Sequence, residues 1–168
     1  MLTLIVAADK NWAIGKDGKL LTSIPEDLNF FRQTTRDKVV IMGRKTVESL
    51  PGGRPLPNRQ TILVTRDENY KMSDVTIAHS VEEALELAKK SGTDIYIAGG
   101  GAIYEQMLNL CDDALVTYID YSYQADTWFP NLDKRPEWVL ASESEEQTHF
   151  DIVYYFRHYI RRKDYIDQ

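Results

Sequence analysis

Asp94-Ile95-Tyr96-Ile97-Ala98-Gly99-Gly100-Gly101 reads as a buried strand that breaks into a glycine turn, and a helix with the apolar stripe Ile103, Met107 and Leu110 follows it. An unbroken apolar strand is covered on both faces, the habit of parallel sheets. Working outward, the same order recurs. Lys38-Val39-Val40-Ile41-Met42 is a second apolar strand, and Gly43-Arg44-Lys45-Thr46 turns it into a short helix ending at Ser49 or Leu50. Leu2 to Ala8 is a third. Thr61–Thr65 and Val75–Ala78 are strands, and Ser80 caps a helix with Glu83 completing a capping box, Val81, Ala84, Leu85 and Ala88 forming its inner face, and Gly92 stopping it. Leu115–Ile119 is a further strand. Trp138–Ala141 and Phe150–Arg161 read as a late antiparallel pair, with Phe150, Ile152, Tyr154, Phe156 and Ile160 alternating against Asp151, Arg157 and Arg161. The expectation is one α/β domain over residues 1–168: a mostly parallel central sheet, an antiparallel C-terminal edge strand and about four flanking helices.

Composition sets bounds. The chain has 168 residues, 43% hydrophobic and 27% charged, with a net charge of −6, so a broad nucleic-acid surface is not expected and a local group of cations becomes informative. A single cysteine, Cys111, rules out an internal disulfide and suits a reducing cytoplasm; with no cation beside it, it reads as a buried inert thiol. No apolar run approaches the ~20 residues of a membrane span, and the first residues read as a strand rather than a leader. His79, His149 and His158 are isolated, with no metal-ligand spacing, so no metal is expected.

Leu20-Leu21-Thr22-Ser23-Ile24-Pro25-Glu26-Asp27-Leu28-Asn29-Phe30-Phe31 carries the acid of interest. Pro25 suits a first helical position, and Glu26 and Asp27 put negative charge into the first turn. Leu28 and Phe31 share one face, so Asp27 stands at the edge of an apolar stripe. It is either a solvated cap or an acid held in an apolar pocket. Asp9 to Lys19 reads as a loop with Gly15 and Gly18 that carries Trp12 and Ile14 outward: a lid that closes on a ligand, or a loop packed on the core. The Gly99–Gly101 turn offers backbone N–H groups to an anion. It is not the dinucleotide fingerprint, because Tyr104 stands where the last glycine belongs. Arg44, Lys45 and Thr46 follow one strand and Thr65-Arg66 another. Singly these are surface charges; together, just after strand ends, they fit a ligand with several phosphates at the carboxyl edge.

Taken in order, Ala7 with Ile14-Gly15, Ile24-Pro25-Glu26-Asp27-Leu28 with Phe31, Ile41 to Thr46, Arg54-Pro55-Leu56-Pro57 with Arg59, Ile97 to Gly101 with Ile103-Tyr104, Thr117 and Asp126-Thr127-Trp128-Phe129-Pro130 resemble dihydrofolate reductase over nearly the whole chain. The resemblance implies NADPH-dependent reduction of 7,8-dihydrofolate, hydride to C6 and proton to N5. It implies that Asp27 binds the pterin with Thr117 behind it, that Ile5, Ala7, Leu28, Phe31, Leu50 and Leu56 line the pocket, and that Arg59 pairs bidentately with the substrate α-carboxylate. For the cofactor it implies Arg44, Lys45, Thr46, Thr65 and Arg66 at the phosphates and Gly99, Gly100, Gly101 and Ala102 at the pyrophosphate, with Ala8, Ile14, Leu20, Gly43, Ala98, Tyr104 and Thr127 completing the site. A cis bond at Gly99-Gly100, a mobile lid from Asp9 to Ser23 with the Asp126 loop docking on it, and a cytoplasmic monomer free of nucleic acid and membrane complete what the resemblance implies.

Two positions depart from the family pattern. Leu20-Leu21-Thr22 stands where many members read Leu-Pro-Trp, whose tryptophan orients a water near the acid; Ala98 is smaller than the expected Ile or Val. Two other functions share parts of the pattern. A related pyrimidine reductase of the riboflavin pathway shares the fold, and Arg59 with Asp27 counts against it; a non-catalytic nucleotide-binding domain leaves Asp27 without purpose.

Overall fold

The computed structural model describes residues 1–162. In chain order the strands are β1 (Leu2–Asp9), β2 (Ala13–Gly15), β3 (Val39–Gly43), β4 (Gln60–Val64), β5 (Thr76–Ala78), β6 (Ile95–Ile97), β7 (Asp113–Ile119), β8 (Thr127–Trp128), β9 (Trp138–Glu143), β10 (Gln147–His149) and β11 (Ile152–Arg161). The helices are α1 (Pro25–Thr35), α2 (Arg44–Glu48), α3 (Val81–Lys89) and α4 (Gly101–Met107). The main sheet runs β10-β11-β7-β1-β6-β3-β4-β5, parallel from β7 to β5. β11 joins β7 antiparallel, and β9 and β10 both pair with β11, so the expected antiparallel edge is a composite of three strands.

Local chemistry accounts for most element ends. Pro25 opens α1 without a side-chain cap, Ile24 being buried beneath it. The Ser80 hydroxyl accepts the Glu83 N–H at 3.0 Å, but the Glu83 carboxylate returns to the N–H of His79, one residue before the cap. Gly92 takes φ +70 after α3, a conformation that glycine adopts without penalty.

Trp12 and Ile14 do not point outward. Both are buried, because β2 pairs with β8 in a two-stranded ribbon that lays Trp12 on the core, stacked on Phe129 at 6.1 Å and edge-on to Tyr159 at 5.7 Å. The exposed part of the lid shrinks to Lys16–Leu20, folded back by mutual Lys16–Lys19 backbone bonds around Asp17 and Gly18, both at positive φ.

The alternation expected along the last strand holds only in part. Tyr154 and Tyr159 lie on opposite faces, yet both are buried: Tyr154 clusters with Ile24 and Ile119, Tyr159 with Trp12. The sheet is covered on both sides there, so side-chain parity does not sort inside from outside. Ile160 is exposed, and Phe150 lies outside β11 in the β10–β11 turn at φ +54, 91% exposed.

Candidate functional site

The sheet order makes the site. β6 enters between β1 and β3, so the two glycine turns meet: Gly43 N–H donates to Gly99 O at 2.7 Å. The Gly99–Gly100 peptide is cis. A Cβ on Gly100 would stand 3.2 Å from the Thr46 hydroxyl, and one on Gly101 2.8 Å from the Thr127 methyl, so only glycine leaves this floor open. Above it lies a cleft of about 230 Å³. Ile14, Gly15, Lys16 and Leu20 form one lip, Thr127 the other, and Lys45, Thr46, Ala98, Gly99, Gly100, Gly101 and Tyr104 the floor and far wall, with Val6, Ala7 and Ser49 adding to the lining.

Backbone amides, a hydroxyl and an ammonium around an open floor suit a pyrophosphate. An apolar end at Val6, Ala7 and Ile14 suits a flat ring. The chemistry of the donor set therefore fits a dinucleotide cofactor.

Some expected cofactor residues stand apart from this cleft. Ala8 is fully buried on the opposite face of β1 from Ala7 and does not line the cleft. Gly43 forms part of the floor's support rather than its surface. Ala102 is exposed on α4. Thr65 and Arg66 follow β4, farther along the carboxyl edge, where His79 Nδ1 lies 3.0 Å from the Thr65 carbonyl. Arg44 is exposed and already engaged. Its Nε donates to Glu48 at 2.8 Å, Asp67 lies 3.9 Å from Nη1, and the guanidinium sits 4.5 Å above the Tyr70 ring. The Arg44 hydrogen bond, joined by one from the Tyr70 hydroxyl, holds the Glu48 carboxyl below its ordinary range.

The acid stands at the end of the cleft where Ala7 lies. Ala7 is in register with Thr117 on β7, and the Thr117 hydroxyl donates to Asp27 Oδ1 at 2.5 Å. Burial raises the Asp27 carboxyl above its ordinary value, and the Thr117 bond offsets only part of that. Tyr104 lies behind it, donating to the Ile5 carbonyl at 2.6 Å; burial, then the Asp27 charge, pushes its phenol far up, so it stays a donor. Ile5 and Leu56 are buried and Leu28, Phe31 and Leu50 half-buried, with Phe31 and Leu50 packing on the Val40–Met42–Val47–Leu63 cluster.

Arg59 is fixed beside α1. Its Nε donates to Pro57 O and its Nη1 to Arg32 O, both at 3.0 Å, and Nη1 also donates to the Thr35 hydroxyl. Among the described residues Nη2 makes no hydrogen bond. Burial, then the neighbouring Arg32 and Arg36 charges, lower the Arg59 pKa, as expected of crowded cations awaiting an anion.

Two residues escaped the sequence reading. Thr35, fully buried, orients Arg59; a threonine in a last helical turn carries no distinguishing sign. Asp9, also fully buried, was readable only as an acid ending an apolar strand. Cys111 is buried, its thiol pushed up to about 12 by burial. A second cavity of about 320 Å³ opens between Phe30 of α1 and the Phe156–His158 stretch of β11. The acid near it, Asp113, is already bonded to Thr3 at 2.6 Å and His158 at 2.8 Å. Among the described residues no three His, Cys, Asp or Glu side chains gather as metal ligands, and no helix is long and apolar enough to cross a membrane.

A phosphate-suited cleft that ends on one desolvated carboxyl group marks a nucleotide-cofactor enzyme that handles a proton. The comparisons narrow that class. A family model described as dihydrofolate reductase matches residues 1–161. Similar proteins include the dihydrofolate reductases of Staphylococcus haemolyticus, 37% identical with 95% of each chain covered, and of Neisseria meningitidis serogroup A, 39% identical over 95% of this chain and 98% of the relative. A solved structure of dihydrofolate reductase from Enterococcus faecalis, complexed with NADP(H) and RAB-propyl, superposes with a TM-score of 0.86 at 34% identity, covering 96% of each chain. The chain belongs to the dihydrofolate reductase family, a family of NADPH-dependent oxidoreductases.

Proposed function

We propose that the protein reduces 7,8-dihydrofolate to 5,6,7,8-tetrahydrofolate with NADPH, using Asp27 as its one catalytic acid. The observation that carries this reading is the junction at Ala7: Ala7 of the cleft wall is paired across two neighbouring strands with Thr117, whose hydroxyl donates to Asp27. When bound, NADPH supplies the hydride. The chain's residues do the rest. Thr46, Lys45 and the Gly99–Gly101 amides bind the pyrophosphate, and Arg44, Thr65 and Arg66 bind the 2′-phosphate farther along the edge. Ile14, Ala7 and Ala98, which line the apolar end of the cleft, would hold the nicotinamide end of the cofactor.

Asp27, ionised, accepts from the pterin amino and ring N–H groups. Its negative charge in an apolar pocket then raises the basicity of N5, which takes its proton from solvent, and protonation makes C6 a better hydride acceptor. Thr117 holds the Oδ1 side, so the carboxylate presents Oδ2 and one orientation. Leu28, Phe31, Leu50 and Leu56 exclude water around the ring system. Arg59 takes the α-carboxylate through Nη2, with Nη1 joining once it releases or shares its present acceptors. Thr22, half-buried just before α1, replaces the family's usual tryptophan with a hydroxyl.

The net charge of −6 counts against a broad nucleic-acid surface, and we read the protein as a cytoplasmic monomer without a nucleic-acid partner. Loss of NADPH absorbance on adding dihydrofolate, and none with a ribosylated pyrimidine substrate, is the expected result. Oxidation with the pyrimidine alone would overturn the reading.

A further inference from the structure

We infer that Asp9 is a positioning residue for the cofactor cleft, its two carboxylate oxygens each holding one of the cleft's lips. Asp9 ends β1, is 0% exposed and has no cation partner among the described residues. A buried carboxylate needs several donors to remain. It has three, all backbone. Oδ1 accepts from Asn11 at 2.8 Å and Ala13 at 2.9 Å; Oδ2 accepts from Tyr123 at 2.9 Å.

The Oδ1 bonds alone would be an ordinary local turn. The Oδ2 bond spans 114 residues and makes the tie. Ala13 opens β2, whose next two residues, Ile14 and Gly15, line one lip. Tyr123 begins the segment leading to Thr127, the other lip, whose methyl rests on Gly101 of the floor. Other links join the same two segments, but the side-chain ones are exposed: Asp126 to the Asp17 N–H at 2.9 Å and Lys16 to Gln124 at 3.0 Å. Water competes for those and not for Asp9. The inference rests on the cleft being the nicotinamide and pyrophosphate site.

Asp9→Asn tests it at constant shape. One amide oxygen cannot serve both sides. Two N–H groups point at the Oδ1 position and one at Oδ2, so the oxygen stays at Oδ1 and the NH2 group meets the Tyr123 N–H, donor against donor. The expected result is amide hydrogen exchange at least about tenfold faster at Tyr123 and Phe129, with Ala13 less affected, and an NADPH Kd about tenfold weaker because the lips are less often in place. The folate Kd should change less than twofold. Wild-type exchange at Tyr123, or equal weakening of NADPH and folate, overturns the inference. Should the variant not fold, the wild type decides it: protection at Ala13 and Tyr123 should rise together, about tenfold, on saturation with NADPH. A Tyr123 amide that exchanges freely while Ala13 stays protected also overturns it. A wild type that does not bind NADPH overturns the cleft reading instead, and the exchange rates of the free protein still decide Asp9.

Discussion

Asp27 and Arg44, the acid and one of the phosphate cations of the proposed reaction, treat charge in opposite ways. Asp27 sits in the first turn of α1 beside apolar neighbours, with a single hydroxyl partner and a pKa raised by burial. Arg44 sits in solvent, bonded to Glu48, near Asp67 and over Tyr70. In the first region burial screens the charge little; in the second, water and neighbouring acids dilute it. Chemistry belongs where the charge is costly, and recognition of a phosphate that must come and go belongs where it is cheap.

The largest effect should come from the buried end. Asp27→Asn is nearly isosteric, so the variant should fold and bind NADPH, yet lose orders of magnitude in hydride transfer at pH 7. Its rate should climb as pH falls, because solvent then supplies the N5 proton, while the wild-type rate levels off below the apparent pKa of the complex. Single-turnover transfer against pH measures both. A wild-type rate in the variant at pH 7 would return Asp27 to the role of helix cap and erase the contrast.

Next is Arg59, midway between the two regimes. Arg59→Lys keeps the charge and loses the planar fork, and a hydrogen bond to a charged group contributes roughly 1.5–3 kcal/mol. Dihydrofolate should bind tenfold or more weakly, with hydride transfer at saturation little changed; a ligand lacking the glutamate should bind both proteins alike. Isothermal titration with the two ligands separates these outcomes.

At the exposed end, Arg44→Ala with Arg66→Ala should lower the preference for NADPH over NADH by roughly tenfold, and rising salt should erode the wild-type preference towards the same value. An unchanged ratio of kcat/KM for the two cofactors would remove both arginines from the 2′-phosphate. Glu48→Gln sharpens the point. The amide oxygen still accepts from Arg44 Nε, but the negative charge near the phosphate is gone, so NADPH should bind about two- to threefold more tightly at low salt.

The smallest effect is on stability. The raised Asp27 pKa means that the folded chain holds a proton the unfolded chain has lost, so stability falls as pH rises from the unfolded value through the folded one and stays lower above it. Asp27→Asn removes that deficit. Its melting temperature should exceed the wild type's at pH 7, and the gap should close below about pH 4. An equal gap at both pH values would mean that burial of the charge is not its source.

The sequence by itself determined the α/β alternation, the glycine turn at Gly99–Gly101, the Pro25 start of α1 with Asp27 in its first turn, and the cations just after strand ends. Each depends on residues a few positions apart: period, caps and breakers act locally. The family motifs supplied the expected site residues as well, because their order along the chain is itself a local record. Only the tertiary structure decided what lies across the sheet. Thr117 meets Asp27 from 90 positions away, Asp9 meets Tyr123 from 114, and Gly43 meets Gly99 because β6 enters between β1 and β3. Trp12 turned inward because β2 found β8, and Ile160 stayed out while Tyr154 and Tyr159 went in on opposite faces. Strand order and the cover on each face are set by the energy of the whole packed core, which no short window of residues carries.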